Sequence, residues 1–285
     1  MKILVLGITG MLGNTAFRLL SAQPEHQVWG TMRGNVVPEI FAPEMLRARI
    51  IQGINVERGD SLLRAFSVGR PDVVINCIGV VKQLADANDP LLVLPINALL
   101  PHQLARHCAE IGARLVHVST DCVFNGEKGN YIEADISDAT DLYGKSKFIG
   151  EVVGPNAITL RTSIIGHELS TRHGLIEWFL AQTGTVSGFT NAFFSGLPTI
   201  ELATIIRDHL LPRPTMNGLY HVAAARISKY DLLKQVAEIY QKSIEIIPND
   251  KLVIDRSLNG SRFNEATGYV APNWATLIEK MRHFQ

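Results

Sequence analysis

Cysteine is scarce: Cys77, Cys108 and Cys122 are the only three in 285 residues. They form no CxxC pair, and an odd count cannot pair completely. That fits a reducing, cytoplasmic setting better than a disulfide framework. An excess of either charge is also missing, since 27 Lys+Arg face 27 Asp+Glu. That argues against coating nucleic acid or an anionic membrane, while leaving room for a local basic pocket. Long apolar runs are missing too. The opening MKILVLGITG turns to glycine too soon for a signal peptide, and the run Leu91 to Leu100 is about half of what a membrane span needs. The histidines show no ligand spacing, so no metal site is expected. What the chain has in plenty is apolar material, 46% against 19% charged, enough for one large or two moderate domains.

The first half alternates strand-like and helix-like segments. Lys2–Leu6 reads as a buried strand, Met11–Ser21 as a helix and Gln27–Met32 as a second strand. Ile50–Gln52, Val73–Cys77, Leu115–Val118 and Ala157–Arg161 continue the strand series. Helices are expected from Asp60 or Ser61 to Phe66, from Asp89-Pro90 to about Ile111 with breaks near Pro95 and Pro101, and over Leu142–Val152. This rhythm predicts an α/β fold with a doubly wound parallel sheet, a Rossmann arrangement. Beyond about Gly166 the segments shorten, with helices near Thr199–Leu210, Ser228–Tyr240 and Asn273–His283. The expected division is a first, doubly wound domain over 1–165 and a smaller C-terminal lobe over 166–285.

Gly7-Ile8-Thr9-Gly10-Met11-Leu12-Gly13 lies between the first strand and the first helix. Glycines at this spacing permit a tight turn, close approach to a pyrophosphate and close helix–strand packing. The helix N-terminus then offers free N–H groups to phosphate. The end of the second strand has no acid to bind ribose hydroxyls; Arg33 is there instead. An arginine at that place suits the extra phosphate of NADP, so NADPH is expected over NADH.

Tyr143-Gly144-Lys145-Ser146-Lys147 is a Y-x-x-x-K motif, which puts a phenol and an ammonium on one helix face. A lysine cation beside a tyrosine favours the phenolate and eases proton transfer near neutral pH. Tyr230 and Lys234 repeat the spacing. Context separates the copies. The Tyr143 copy follows Val116-His117-Val118-Ser119-Thr120-Asp121-Cys122, a strand ending in hydroxyl and acid groups, where ligands of open α/β sheets bind. The Tyr230 copy reads as an ordinary amphipathic helix.

These segments together resemble the extended short-chain dehydrogenase/reductases, and among them the dTDP-4-dehydrorhamnose reductases. GITGMLG, PDVVINCIG, ARLVHVSTDCVFNG, DLYGKSKFIGE, ITLRTSIIG, GLPTIELA, GLYHVA and RSLNGSRFNEATGY carry the resemblance over nearly the whole chain. It implies a reductase of nucleotide-linked 4-keto-6-deoxyhexoses in deoxysugar biosynthesis, with a sugar nucleotide as partner and homodimerisation possible. It implies that Tyr143 donates a proton, that Lys147 supports it and holds the nicotinamide ribose, and that Thr120 bonds the reacting carbonyl. Gly7, Thr9, Gly10, Met11, Leu12 and Gly13 would wrap the pyrophosphate. Asn55 and Val56 would lie at the adenine, Cys77, Ile78 and Gly79 along the cofactor, and Ser163 and Ile164 at the nicotinamide.

Cys122 departs from the reductase pattern, which is usually aromatic there. The GDP-fucose synthases, which epimerise before reducing, have an acid/base cysteine at this place and a helping histidine; His167 and His173 are the candidates. Packing is the plainer expectation for Cys122. Asp121, Cys122, Lys82 and His173 are the candidate substrate contacts. Dehydratases of the superfamily carry Thr-Asp-Glu where this chain has Thr-Asp-Cys, so water elimination is not expected. A further alternative is a non-catalytic subunit like the regulatory subunit of methionine adenosyltransferase. The intact Thr120, Tyr143 and Lys147 set favours an enzyme.

Overall fold

The computed structural model describes residues 1–82 and 88–285. Its central sheet contains β1 (Lys2–Leu6), β2 (Gln27–Thr31), β3 (Ile50–Ile51), β4 (Val73–Asn76), β5 (Arg114–Thr120), β6 (Ala157–Thr162) and β7 (Gly218–His221). The helices that matter below are α1 (Met11–Ser21), α2 (Gly59–Gly69), α3 (Leu100–Glu110), α4 (Leu142–Ile149), α5 (Thr199–Ile205), α6 (Lys229–Ile239) and α7 (Trp274–His283). Strand order is β7-β6-β5-β4-β1-β2-β3, and every pairing in this sheet is parallel.

Parallel strands need crossover helices, and these cover both faces. Alternate strand residues therefore enter different cores. Ile3 and Val5 join Phe17, Ile75, Val116, Leu160 and Ile205 on one face. Leu4 and Leu6 join Val74, Leu104 and Leu115 on the other. Phe17 is fully buried and meets Phe41 edge-on at 5.6 Å; truncating such a side chain to alanine costs about 3–5 kcal/mol.

The chain leaves β1 toward β2 and β3, then returns to place β4 on the other flank of β1. The resulting switch point lies between β1 and β4, and Leu6 is in register with Asn76. The loops after these two strands emerge side by side at their carboxyl ends, where α/β sheets bind ligands. The later half contributes β7 to the sheet and α5 against α1, with Thr15 donating to Thr199 at 3.1 Å. Small sheets complete this half: Ala192–Phe194 pairs with Ile227–Ser228 and Ile254–Asp255, and Thr185–Phe189 pairs with Glu245–Asn249.

Several boundaries differ from the sequence reading. The helix expected to start at Asp60 or Ser61 starts at Gly59, and neither side chain caps it; Arg58 is the cap residue and pairs with Asp60 at the surface. The segment after Pro90 runs on through Pro95 and Pro101. A widened turn over Leu94–Leu99 absorbs the missing N–H groups. Strand β5 extends to Thr120. Helix α4 stops at Ile149, three residues before the expected Val152, so Glu151 leaves the helix and faces the sheet.

Candidate active site

The loop from Gly7 to Gly13 turns from β1 into α1. Its turn is closed by Gly10 N–H donating to Gly7 O at 3.0 Å. A Cβ at Gly13 would collide with the Gly7 carbonyl, so glycine alone lets the helix start this close to the strand. Gly10 caps α1 without any side-chain hydrogen bond, so no side chain blocks the N–H groups of the first turn. Thr9 is exposed at the tip, Met11 is half-buried and Leu12 anchors the turn in the core.

The loops after β2, β3, β4 and β6 leave the same carboxyl edge of the sheet. After β4, Cys77 is half-buried, and Ile78 N–H donates to Asn76 at 3.1 Å. Asn97 fastens the next residues by exchanging two hydrogen bonds with the Val80 backbone and reaching Ser146 of α4 at 3.3 Å, beside Gly79. Arg33 is exposed two residues past β2. Asn55 N–H donates to Ser61 at 2.9 Å and Val56 is buried behind it. Ser163 accepts Leu197 N–H at 2.8 Å, and Ile164 opens a two-residue strand paired with Leu197–Pro198. This donor set fits a dinucleotide: open N–H groups for a pyrophosphate, apolar walls for rings and a cation at the far end.

Beyond β5 the structure gathers Thr120, Asp121, Cys122 and Tyr143. Thr120 accepts Cys122 N–H at 3.1 Å and donates to Asp121 at 3.2 Å. Helix α4 lies on this turn because residue 144 is glycine; a Cβ there would strike the Cys122 carbonyl. Asp141 caps α4 by accepting Gly144 N–H at 2.8 Å. Lys82 donates to Asp141 at 2.6 Å, which ties the loop after β4 to the start of α4. Burial pushes the Asp141 carboxyl up, but the Gly144 N–H and Lys82 outweigh it and leave it below its ordinary value.

The titrations are set mainly by burial. It pushes the Tyr143 phenol well above its ordinary value; Cys122 adds to this and the Thr120 hydroxyl opposes it. Burial also pushes the Cys122 thiol up to about 12, with Asp121 adding and Arg256 opposing. Asp121 is pushed up by burial and held back by Arg256. Lys147 is 5% exposed and its ammonium is pushed down to about 8 by burial, with Glu151 opposing. Its Nζ donates to Val118 O at 2.8 Å. The expected lowering of the Tyr143 pKa by Lys147 is therefore not found: burial sets the direction, and Lys147 is engaged with Val118 O and Glu151 instead. A phenol held protonated is suited to give a proton, not to take one.

The two candidate histidines differ in burial and partners. His173 is exposed in the loop before Leu175–Ala181. His167 is engaged by Glu177 at 2.6 Å and the Tyr240 hydroxyl at 2.8 Å. It lines a cavity of about 550 Å³ between α1 and α7 that includes none of Thr120, Tyr143 and Lys147. In the second Y-x-x-x-K copy, Lys234 lies over the Tyr230 ring at 5.4 Å on α6. No cluster of metal-binding groups occurs among the described residues, and no described helix is long and apolar enough to cross a membrane.

Sequence reasoning missed Arg256 and Glu151. Arg256 follows Ile254–Asp255, and its Nε donates to Phe124 O at 2.7 Å, which puts a cation beside Asp121 and Cys122. No local pattern marks a side chain arriving from over 130 residues away. Glu151 lies within the DLYGKSKFIGE segment, where i+4 spacing from Lys147 was the available signal.

A family model described as the RmlD substrate binding domain matches residues 1–274. The probable low-salt glycan biosynthesis reductase of Haloferax volcanii is 29% identical over 247 residues, covering 82% of this chain and 79% of that protein. Methionine adenosyltransferase 2 subunit beta of Xenopus tropicalis is 25% identical over 252 residues, covering 84% of this chain and 72% of that protein. The solved dTDP-4-dehydrorhamnose reductase of Bacillus anthracis in complex with NADP superposes with a TM-score of 0.80 at 18% identity, over 99% of this chain and 98% of that one.

Proposed function

The chain belongs to the RmlD substrate binding domain family, and from that premise we propose that it reduces the 4-keto group of a nucleotide-linked 6-deoxyhexose with NADPH. The observation that carries this reading is the meeting of Thr120, Tyr143 and Lys147 at the carboxyl end of β5, on the same edge of the sheet as the open N-terminus of α1. The bound nicotinamide would supply hydride to the ketone carbon.

The remaining work falls to the chain's own groups. Thr120 bonds the ketone oxygen and orients the carbonyl. Tyr143, kept protonated by its buried surroundings, gives its proton to that oxygen as negative charge develops on it. Lys147 lies one turn further along α4, where its cation offsets the phenolate left behind and meets the nicotinamide ribose. Gly7 to Gly13 bind the pyrophosphate, and Arg33 meets the adenosine phosphate of NADPH. Residues 1–165 hold the cofactor. The later lobe, with Asp121, Cys122 and Lys82 at its border, holds the sugar nucleotide; the Lys82–Asp141 pair would open for Lys82 to reach a diphosphate.

Epimerisation before reduction is the less favoured chemistry, because a thiol pushed up to about 12 is not a base at neutral pH. The non-catalytic reading has one observation in its favour, the likeness to methionine adenosyltransferase 2 subunit beta. NADPH consumption against dTDP-, GDP-, UDP- and CDP-linked 4-keto sugars tests the proposal. Turnover with one of them supports it. NADPH binding without turnover of any would favour the non-catalytic subunit.

A further inference from the structure

Behind Lys147 lies a buried charged network that the proposed chemistry does not use directly. Glu151 and Arg161 form a two-pronged pair, with both contacts at 2.7 Å and side chains 7% and 3% exposed. Ser119 donates to the same Glu151 oxygen at 2.7 Å. Arg161 continues to His221 Nε2 at 3.3 Å, and His221 Nδ1 meets Tyr131 O at 2.9 Å. The tautomer follows: Nδ1–H donates to the carbonyl, so Nε2 accepts from Arg161. Burial pushes His221 down to about 4, which keeps it neutral in that role.

Ser119 stands between the Val118 carbonyl that receives Lys147 and the Thr120 hydroxyl at the mouth of the site. Glu151 thus grips the segment of β5 that presents both. It reaches there only because α4 ends at Ile149 and the chain turns toward the sheet. We propose that Glu151 is a positioning residue for Lys147: it locks the turn after α4 onto β5 and β6 and supplies the negative charge that faces the buried ammonium. The catalytic consequence rests on the reductase reading; the electrostatic relationship does not.

The surroundings of Lys147 allow few other sources of that charge. From β5 comes His117, fully buried, with Nδ1 3.2 Å from Asn76 Nδ2 and its pKa pushed well below the ordinary value by burial. From α3 comes His102, behind His117, bonded through Nε2 to Ile149 O at 2.7 Å. From β6 comes Arg161, a cation already held by Glu151, and from α4 itself comes Tyr143. Asp121 lies beyond Thr120, raised by burial and held back by Arg256, and does not act on Lys147. Glu151 is the group that favours the charged form of Lys147, against the desolvation that opposes it.

The test follows the ¹³Cε signals of labelled lysines in the full-length protein by NMR as pH is raised, with Lys147 assigned by its loss in Lys147→Met. The wild-type signal is expected to titrate near pH 8. In Glu151→Gln the midpoint should fall by about one unit, a tenfold loss of proton affinity. Glu151→Gln leaves Arg161 buried without its partner, so Glu151→Gln/Arg161→Met is the second variant; it removes a cation together with the carboxylate and should show a smaller downward shift. Ser119→Ala removes the strand clamp and keeps the charge; it should leave the midpoint in place while lowering kcat. In the reductase assay the alkaline limb of kcat/KM should move down with the Lys147 midpoint, and Glu151→Asp should partly restore it. An unmoved Lys147 midpoint in the folded double variant overturns the proposal. A wild-type protein that turns over no 4-keto sugar removes the reductase reading alone, because the titration still decides the role of Glu151.

Discussion

Lys147 donates its ammonium to the carbonyl oxygen of Val118 at 2.8 Å, within a site where it is 5% exposed. Burial of this cation costs the fold more than the Val118 carbonyl and Glu151 return, and its pKa of about 8 against an ordinary 10.5 expresses that cost. The unfolded chain binds the proton more tightly, so between about pH 8 and 10.5 stability rises with pH on account of this residue. Below pH 8 the penalty is present in full.

Lys147→Met should therefore be more stable than wild type at pH 7. The shift corresponds to at most about 3 kcal/mol, reduced by about 1–2 kcal/mol for the lost hydrogen bond. The gain should shrink as pH rises from 8 toward 10.5. Urea unfolding of both proteins at pH 7 and pH 9.5 measures it. A difference that grows with pH would show that the ammonium is not destabilised by its site.

Tyr143→Phe should lower turnover by about 10²–10⁴-fold, the usual contribution of a general acid, with NADPH binding nearly unchanged. Tyr230→Phe should stay near wild type, since that ring lies on α6 against Lys234. Steady-state rates and a fluorescence titration of NADPH distinguish the effects. A dead Tyr230→Phe with an active Tyr143→Phe would move the active site elsewhere.

Arg33→Ala should weaken NADPH more than NADH. The guanidinium is exposed just past β2, where a charge-assisted contact to a phosphate contributes about 1.5–3 kcal/mol, or roughly 10- to 150-fold in Kd. Binding isotherms with both cofactors are the measurement. Equal loss for the two would remove Arg33 from cofactor choice.

Cys122→Ser should leave the product sugar unchanged. Epimerisation beside a ketone must remove a carbon-bound proton, so solvent hydrogen would enter C3 or C5. Simple reduction adds only hydride at C4 and an exchangeable oxygen proton. Turnover in deuterated water followed by mass analysis should find no deuterium retained on ring carbons. Deuterium at C3 or C5 that disappears in Cys122→Ser would establish the epimerase-reductase instead.

Much of the frame was legible because it is written in local patterns. The run Ile3–Leu6 is apolar on both faces, as an inner strand requires, and Gly7, Gly10 and Gly13 mark the turn that follows. Asp89, Ser228 and Asn273 cap their helices as their side-chain chemistry requires, accepting N–H groups from Leu91, Asp231 and Thr276. The shared helix face of Tyr143 and Lys147 follows from helical periodicity alone.

Tertiary structure decided what depends on desolvation and on contacts distant in sequence. Spacing implied that Lys147 would lower the Tyr143 pKa. Burial of both groups set the opposite direction, because removing water penalises the charged form of each. The early end of α4 and the capture of Glu151 by Ser119 and Arg161 depend on β5 and β6 lying side by side. Arg256 reaches Phe124 O only once the later half of the chain has folded back over the end of β5. The sequence by itself determined the sheet, the glycine turn and the identity of the reactive groups, since these follow from residue size, backbone freedom and period. Which of those groups carry charge, and what holds them, was left to packing, because solvation is a property of the assembled interior and not of any segment.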